Sequence, residues 1–315
     1  MSTVKKKKNK NLKKRILNIF ILVCFTAAAY LFYQSLMTKM DEKNSNETYS
    51  EIEDLYAEGI AINIDHGTVP DPTKDPLPIE SSEPTPVATD IPAPTPIITE
   101  EPEPTPTVNP GPGDTIPQRS LIDRDEVLDS FQPLLDANED IRGYIMMAES
   151  TIRYPVVQGI DNKYYLEHSI YGEKTISASI FMDYRNNTDV LDDNTIIYGH
   201  NLNTNMFNDL DFFVDEETRD DFYKANGIFR FDTVYKYMQW EVYSTYVVDV
   251  DDFNYLITNF SDESSHKAFL DETLERSAVD WGISVTTSDT ILTLSTCNRW
   301  FNNSRTVVHA RLITP

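Results

Sequence analysis

The chain has 315 residues, 40 % hydrophobic and 11 % aromatic, enough to build a core in one or two domains. Eight of its 27 basic residues fall in the first fifteen positions; taking those away leaves 19 basic residues against all 51 acidic ones. So acidic a body repels a polyanion instead of binding it by counterion release, which argues against nucleic acid as a partner.

Residues 1–15 form a basic segment that reads as cytoplasmic, and residues 16–38, ILNIFILVCFTAAAYLFYQSLMT, carry no charge. About 20 apolar residues are what a helix needs to cross a bilayer, and lysines in front of such a run stay inside. The expectation is a single-pass signal anchor in the cell membrane, N-terminus cytoplasmic, with the remainder extracellular. A signal peptide cleaved near Ala29 is the alternative; the apolar run through Leu31, Phe32 and Tyr33 favours the anchor.

Residues 39–69 are an acidic juxtamembrane segment with a weak helical pattern around YSEIEDLYAEGIAI. Residues 70–118 hold fifteen of the eighteen prolines. Proline at that density excludes helix and sheet and favours polyproline II, so an extended Pro/Thr-rich stem of up to about 150 Å is predicted.

The folded domain is expected over 119–315. Val127, Phe131, Leu134, Leu135 and Ile141 suit an amphipathic helical opening interrupted near Pro133. Short β-branched and aromatic runs follow, among them YPVVQ, ASIFMDY, NTIIYGH, GIFRFDTV, YMQWEVYSTYVVDV, TILTLSTC and TVVHARLIT. Asn, Asp and Gly between them argue for a mostly antiparallel sheet or barrel. One helix is predicted over DESSHKAFLDETLERSAV, with Ser261 as its N-cap.

Of the two cysteines, Cys24 lies in the apolar run, so Cys297 has no intrachain partner in an exported domain. Such a thiol is buried and inert, pairs with another molecule, or is a nucleophile. TILTLSTC and SRTVVHARL read as an antiparallel hairpin that brings Arg305 close to Cys297 across the turn. There an arginine favours the thiolate and can hold an oxyanion, or else it pairs with an acid at the rim.

A cysteine nucleophile also needs a histidine. His66 precedes the stem, His266 sits in the late helix where exposure is the simplest expectation, and His168 follows a helical turn. His309 lies mid-strand, about 13 Å along from Arg305 and too far to serve the same carbon. His200 ends an apolar strand beside Gly199, where side chains reach a cleft; a structural role there is the alternative. No metal-ligand spacing, phosphate loop or dinucleotide fingerprint is present, so neither metal nor cofactor is expected. Papain-like hydrolases place the cysteine well before the histidine, the reverse of this order.

TLSTC followed by RTVVHARL, with NTIIYGHN upstream, resembles the sortase family of membrane-anchored cysteine transpeptidases. YPVVQGIDNKYYLEHSIYG, SIFMDYRN and IIYGHNLNTNMFNDL are similar to its class B. The resemblance implies a mainly β fold: an eight-stranded barrel with N-terminal helices and a long helix before the cysteine strand. It implies Cys297 as nucleophile, His200 as catalytic histidine and Arg305 as oxyanion or positioning arginine, with Asn162, Leu166 and Ser295 lining the substrate groove. It further implies cleavage of a C-terminal sorting signal after threonine and transfer to a peptidoglycan-precursor amine, anchoring surface proteins in a Gram-positive-type envelope. A pilin polymerase using a lysine acceptor and an inactive stalked sorting-signal-binding module are the alternatives. The pattern departs from class B in the short Cys297–Arg305 interval, in Tyr144 where tryptophan is frequent, and in the stem.

Overall fold

The computed structural model describes residues 2–65, 126–187, 189–202, 205–297 and 303–314. Side chains are described for residues 20, 23–41 and 43–60 of the N-terminal stretch, and for the later residues other than Cys297 and Thr314. The predicted stem over 70–118 lies outside the described residues, as does the start of the folded domain.

One helix, α1 (Ser2–Asp65), comes first; a 3₁₀ turn (Asp129–Phe131) runs into α2 (Gln132–Ala137). Then follow β1 (Ile141–Met146), β2 (Arg153–Val157), β3 (Ile180–Met182), β4 (Asn194–Gly199), β5 (Asn201–Leu202) and β6 (Asn205–Met206). A second 3₁₀ stretch (Asn208–Phe213) precedes α3 (Arg219–Asn226), β7 (Ile228–Thr233), β8 (Gln239–Asp249), α4 (Glu263–Arg276), β9 (Ile291–Cys297) and β10 (Ser304–Thr314).

Eight strands close into the expected barrel in the order β1-β2-β3-β4-β9-β10-β8-β7. The pairs β2/β3 and β4/β9 are parallel and the other barrel pairs antiparallel. Phe181, Ile197, Phe231, Trp240, Leu292, Leu294 and Val308 are buried in one cluster, and closure leaves no unpaired edge.

Helix α1 covers one side. Tyr49, Ile52, Tyr56 and Ile60 recur at helical spacing and are all buried against the barrel. The Tyr56 ring stacks on Tyr144 with centroids 4.0 Å apart. The Tyr56 hydroxyl donates to Asp232, whose other oxygen accepts from Met238 N at 2.7 Å. Burial pushes the Asp232 carboxyl up, against the opposing pull of the Arg230 guanidinium. Nearer the N-terminus, Asp41 Oδ2 accepts from Thr175 Oγ1 at 2.8 Å and Ile176 N at 2.7 Å.

Three expectations are corrected. Among the described residues no helix is long and apolar enough to cross a membrane. Residues 16–38 instead form part of the continuous helix α1, and its described part includes polar Thr26, Gln34 and Thr38 bonded within the helix. Single-pass anchoring and the extracellular placement drawn from it are not supported. Ile141 opens β1 instead of extending the first helix, because the chain turns extended at Asn138 (φ −154°). The opening is interrupted where expected: the 3₁₀ turn ends at Phe131 and α2 starts at Gln132, with Pro133 in its first turn, where a missing N–H costs nothing. The late helix is capped by Asp262, which accepts from Ser265 N at 2.8 Å in a reciprocal capping box, one residue past Ser261.

Candidate active site

The residues singled out for chemistry meet at one rim of the barrel. Cys297 ends β9 and pairs directly with Arg305 on β10, as the hairpin reading required. On the other side of β9 the parallel pairing ends at Gly199↔Thr296, so His200 follows Gly199 level with Cys297. Three adjacent chains, about 4.8 Å apart, thus carry histidine, cysteine and arginine in one row. Asn303, at φ 63°, returns the chain into β10; asparagine tolerates that left-handed conformation.

Glycine before the histidine is a packing requirement. A Cβ at Gly199 would stand 2.5 Å from Ile180 Cδ1 and 2.7 Å from the Phe207 ring. The backbone therefore lies directly on the core, and His200 emerges from a fixed point. Its Nε2 is 2.8 Å from Leu166 O; a carbonyl only accepts, so Nε2 carries a proton and Nδ1 is the other exchangeable position. The Arg305 guanidinium donates to Ser304 O at 3.0 Å. Among the described residues no carboxylate lies within ion-pair distance of Arg305.

Asp211 braces the row from behind, a role the sequence did not announce. One oxygen accepts from Asn201 Nδ2 at 2.7 Å and the other from Thr306 Oγ1 at 2.5 Å. Asn201 follows His200 and Thr306 follows Arg305, so one carboxylate ties the two flanking chains together.

The expected groove residues divide. Leu166 supplies the carbonyl that holds His200, and its side chain is 44 % exposed. Asn162 is turned inward: Oδ1 accepts from Tyr184 N and Nδ2 donates to Asp183, each at 3.0 Å. Asp183 also accepts from Tyr198 OH and from the Arg185 guanidinium, each at 2.8 Å. Burial raises this carboxyl, but Arg185 outweighs it and holds the group below the usual carboxylate range. Ser295 is buried and shares a 2.9 Å hydrogen bond with Tyr255 OH. Asn162 and Ser295 are therefore committed to partners within the protein.

The other described histidines stand apart. His309 is buried in the barrel: Nδ1 lies 2.8 Å from Thr293 Oγ1 and Nε2 2.8 Å from Tyr246 OH. Burial pushes it down to about 3. His266, expected to be exposed, is buried and stacks on Phe260 with centroids 4.2 Å apart, because its helix lays that face on the loop before it. His168 stacks on Tyr164, and His66 lies outside the described residues.

The eight-stranded barrel and the likeness to known proteins mark the chain as a β-barrel transpeptidase. A family model described as a sortase domain matches residues 146–313, and the chain belongs to the sortase family. It is similar to Sortase B of Staphylococcus aureus, at 35 % identity over 60 % of this chain and 77 % of that protein. It is likewise similar to Sortase B of Listeria monocytogenes, at 34 % identity over 60 % and 76 %. The solved Staphylococcus aureus sortase B–substrate complex matches with a TM-score of 0.55 and 36 % identity, over 60 % of this chain and 86 % of that one.

Proposed function

We propose that this sortase transpeptidase cleaves a C-terminal sorting signal after its threonine and joins the new acyl end to an amine of a peptidoglycan precursor, anchoring surface proteins. The Cys297 thiolate attacks the threonine carbonyl, forming a C–S bond. Arg305 holds the oxyanion, and His200 gives its proton to the departing amide nitrogen as the C–N bond breaks. The acceptor amine then attacks the thioester, His200 takes the amine's proton, and Cys297 leaves as thiolate.

The observation that carries this reading is the row of His200, Cys297 and Arg305 across three adjacent strand ends. A proton carrier and a cation on the two chains that flank a cysteine are the groups acyl transfer through a thioester calls for.

Mass spectrometry of the full chain with a panel of sorting-signal peptides, with and without amines, tests it. An acyl adduct on Cys297 that converts to an amide-linked product is expected. An intact peptide panel, together with a Cys297 that resists alkylation at neutral pH, would reject it in favour of a binding module.

A further inference from the structure

We propose that the cavity between α1 and the His200 end of the barrel is the entry site of the acceptor, a primary amine on a peptide or side chain. The proposal rests on the acyl-transfer reading above and assigns the site of its second substrate. The cavity measures about 460 Å³, a volume that fits a small ligand or a long side chain. Met37, Met40 and Asp41 of α1 form one wall, and Leu166, Ile176 and His200 the other. His200 thus belongs both to the cavity and to the row that contains Cys297. A nucleophile seated there has the group that must take its proton as part of its own wall.

The chemistry of the walls fits an amine. Only the neutral amine attacks a thioester, and apolar surroundings disfavour the ammonium form. Met37, Met40, Leu166 and Ile176 supply such surroundings, and the methionines adapt to chains of different shape. Glu167 and Lys174, also in the lining, pair with each other at 2.7 Å. Asp41, held by Thr175 and Ile176 N, then leaves the lining with a net negative charge that draws an amine in its cationic form. In the transfer step the amine nitrogen bonds to the thioester carbon, the C–S bond breaks, sulfur departs as thiolate and the amine proton passes to His200.

The test uses the full chain with Met40→Trp and, separately, Ile176→Trp, which fill the cavity from opposite walls. Both positions are exposed, at 52 % and 55 %, so neither substitution challenges the core. Acylation of Cys297 by a sorting-signal peptide is timed by mass spectrometry. The thioester is then partitioned between water and either glycylglycine or the ε-amine of Nα-acetyl-lysine amide, which separates a backbone-amine acceptor from a lysine acceptor. Acylation should stay within about twofold, while aminolysis by one of the two probes falls about tenfold and hydrolysis persists. Unchanged aminolysis in both variants would overturn the proposal. So would an equal fall in acylation and aminolysis, which would give the cavity to the sorting signal. An unsubstituted chain that forms no thioester would overturn the acyl-transfer reading and this assignment together, a result distinct from a failure confined to the amine step.

Discussion

Strands β9 and β10 and the ends of β4 carry two polar clusters, each with one histidine. At the rim stand His200, Cys297 and Arg305; four residues deeper along β9 and β10 stand Thr293 and His309, with Asn194 from the start of β4. In the inner cluster Thr293 Oγ1 donates to Asn194 Oδ1 at 2.7 Å, so His309 Nδ1 must be the donor to Thr293, and Nε2 accepts from Tyr246 OH. Every step of that chain is fixed, and the imidazole is held neutral. At the rim the described hydrogen bonds of His200 and Arg305 go to backbone carbonyls instead, which orient the side chains without committing them to another side chain. The two histidines differ in how far burial commits their hydrogen bonds. A buried polar group must be satisfied permanently, whereas one at the rim can exchange partners during a reaction.

The widest separation of the two clusters should come from deleting the rim groups. Cys297→Ala should abolish the acyl adduct, and His200→Ala or Arg305→Ala should lower kcat/KM for a sorting-signal peptide by about 10² to 10⁴. Thermal unfolding should barely move in any of the three. His309→Leu should do the opposite. Leaving Tyr246 OH without its acceptor costs on the order of 1–3 kcal/mol, read by urea unfolding, while Thr293 keeps its bond to Asn194 and activity per folded molecule persists.

Acid sharpens the contrast further. An unfolded histidine titrates near 6.5, but folded His309 titrates near 3. Above pH 6.5 neither state holds the proton; between 6.5 and 3 only the unfolded chain does, so stability should fall as pH drops through that window. The loss is about 1.4 kcal/mol per pH unit at most, a few kcal/mol in total. Buried His266, also shifted down by burial, adds in the same direction. His309→Leu should flatten most of this slope, and an unchanged slope would break the assignment of His309 as a buried neutral group. The smallest effect is expected at Asp211→Asn, where an amide can accept from Asn201 or Thr306 but not from both. A severalfold fall in kcat with KM unchanged would mark Asp211 as a positioning residue; equal changes in both, or none, would make it purely structural.

The sequence by itself determined the family resemblance and most of the local elements. TLSTC and RTVVHARL announced both the hairpin and the pairing of Cys297 with Arg305, because period-two alternation and a short connection leave one economical register. The position of His200 just after an apolar strand was legible as well. Tertiary structure alone decided what covers each group: that His266 stacks under Phe260, that Asn162 and Ser295 turn inward, and that Asp211 spans the backs of two flanking chains. It also decided that residues 49–60 lie on the barrel, with Tyr49 OH donating to Ala178 O across 129 positions at 2.7 Å. Periodicity records which side of an element is apolar, but not which distant surface it meets. Burial, and with it the difference between His309 and His200, arises from contacts between residues far apart in the chain, so it becomes visible only once the barrel has closed.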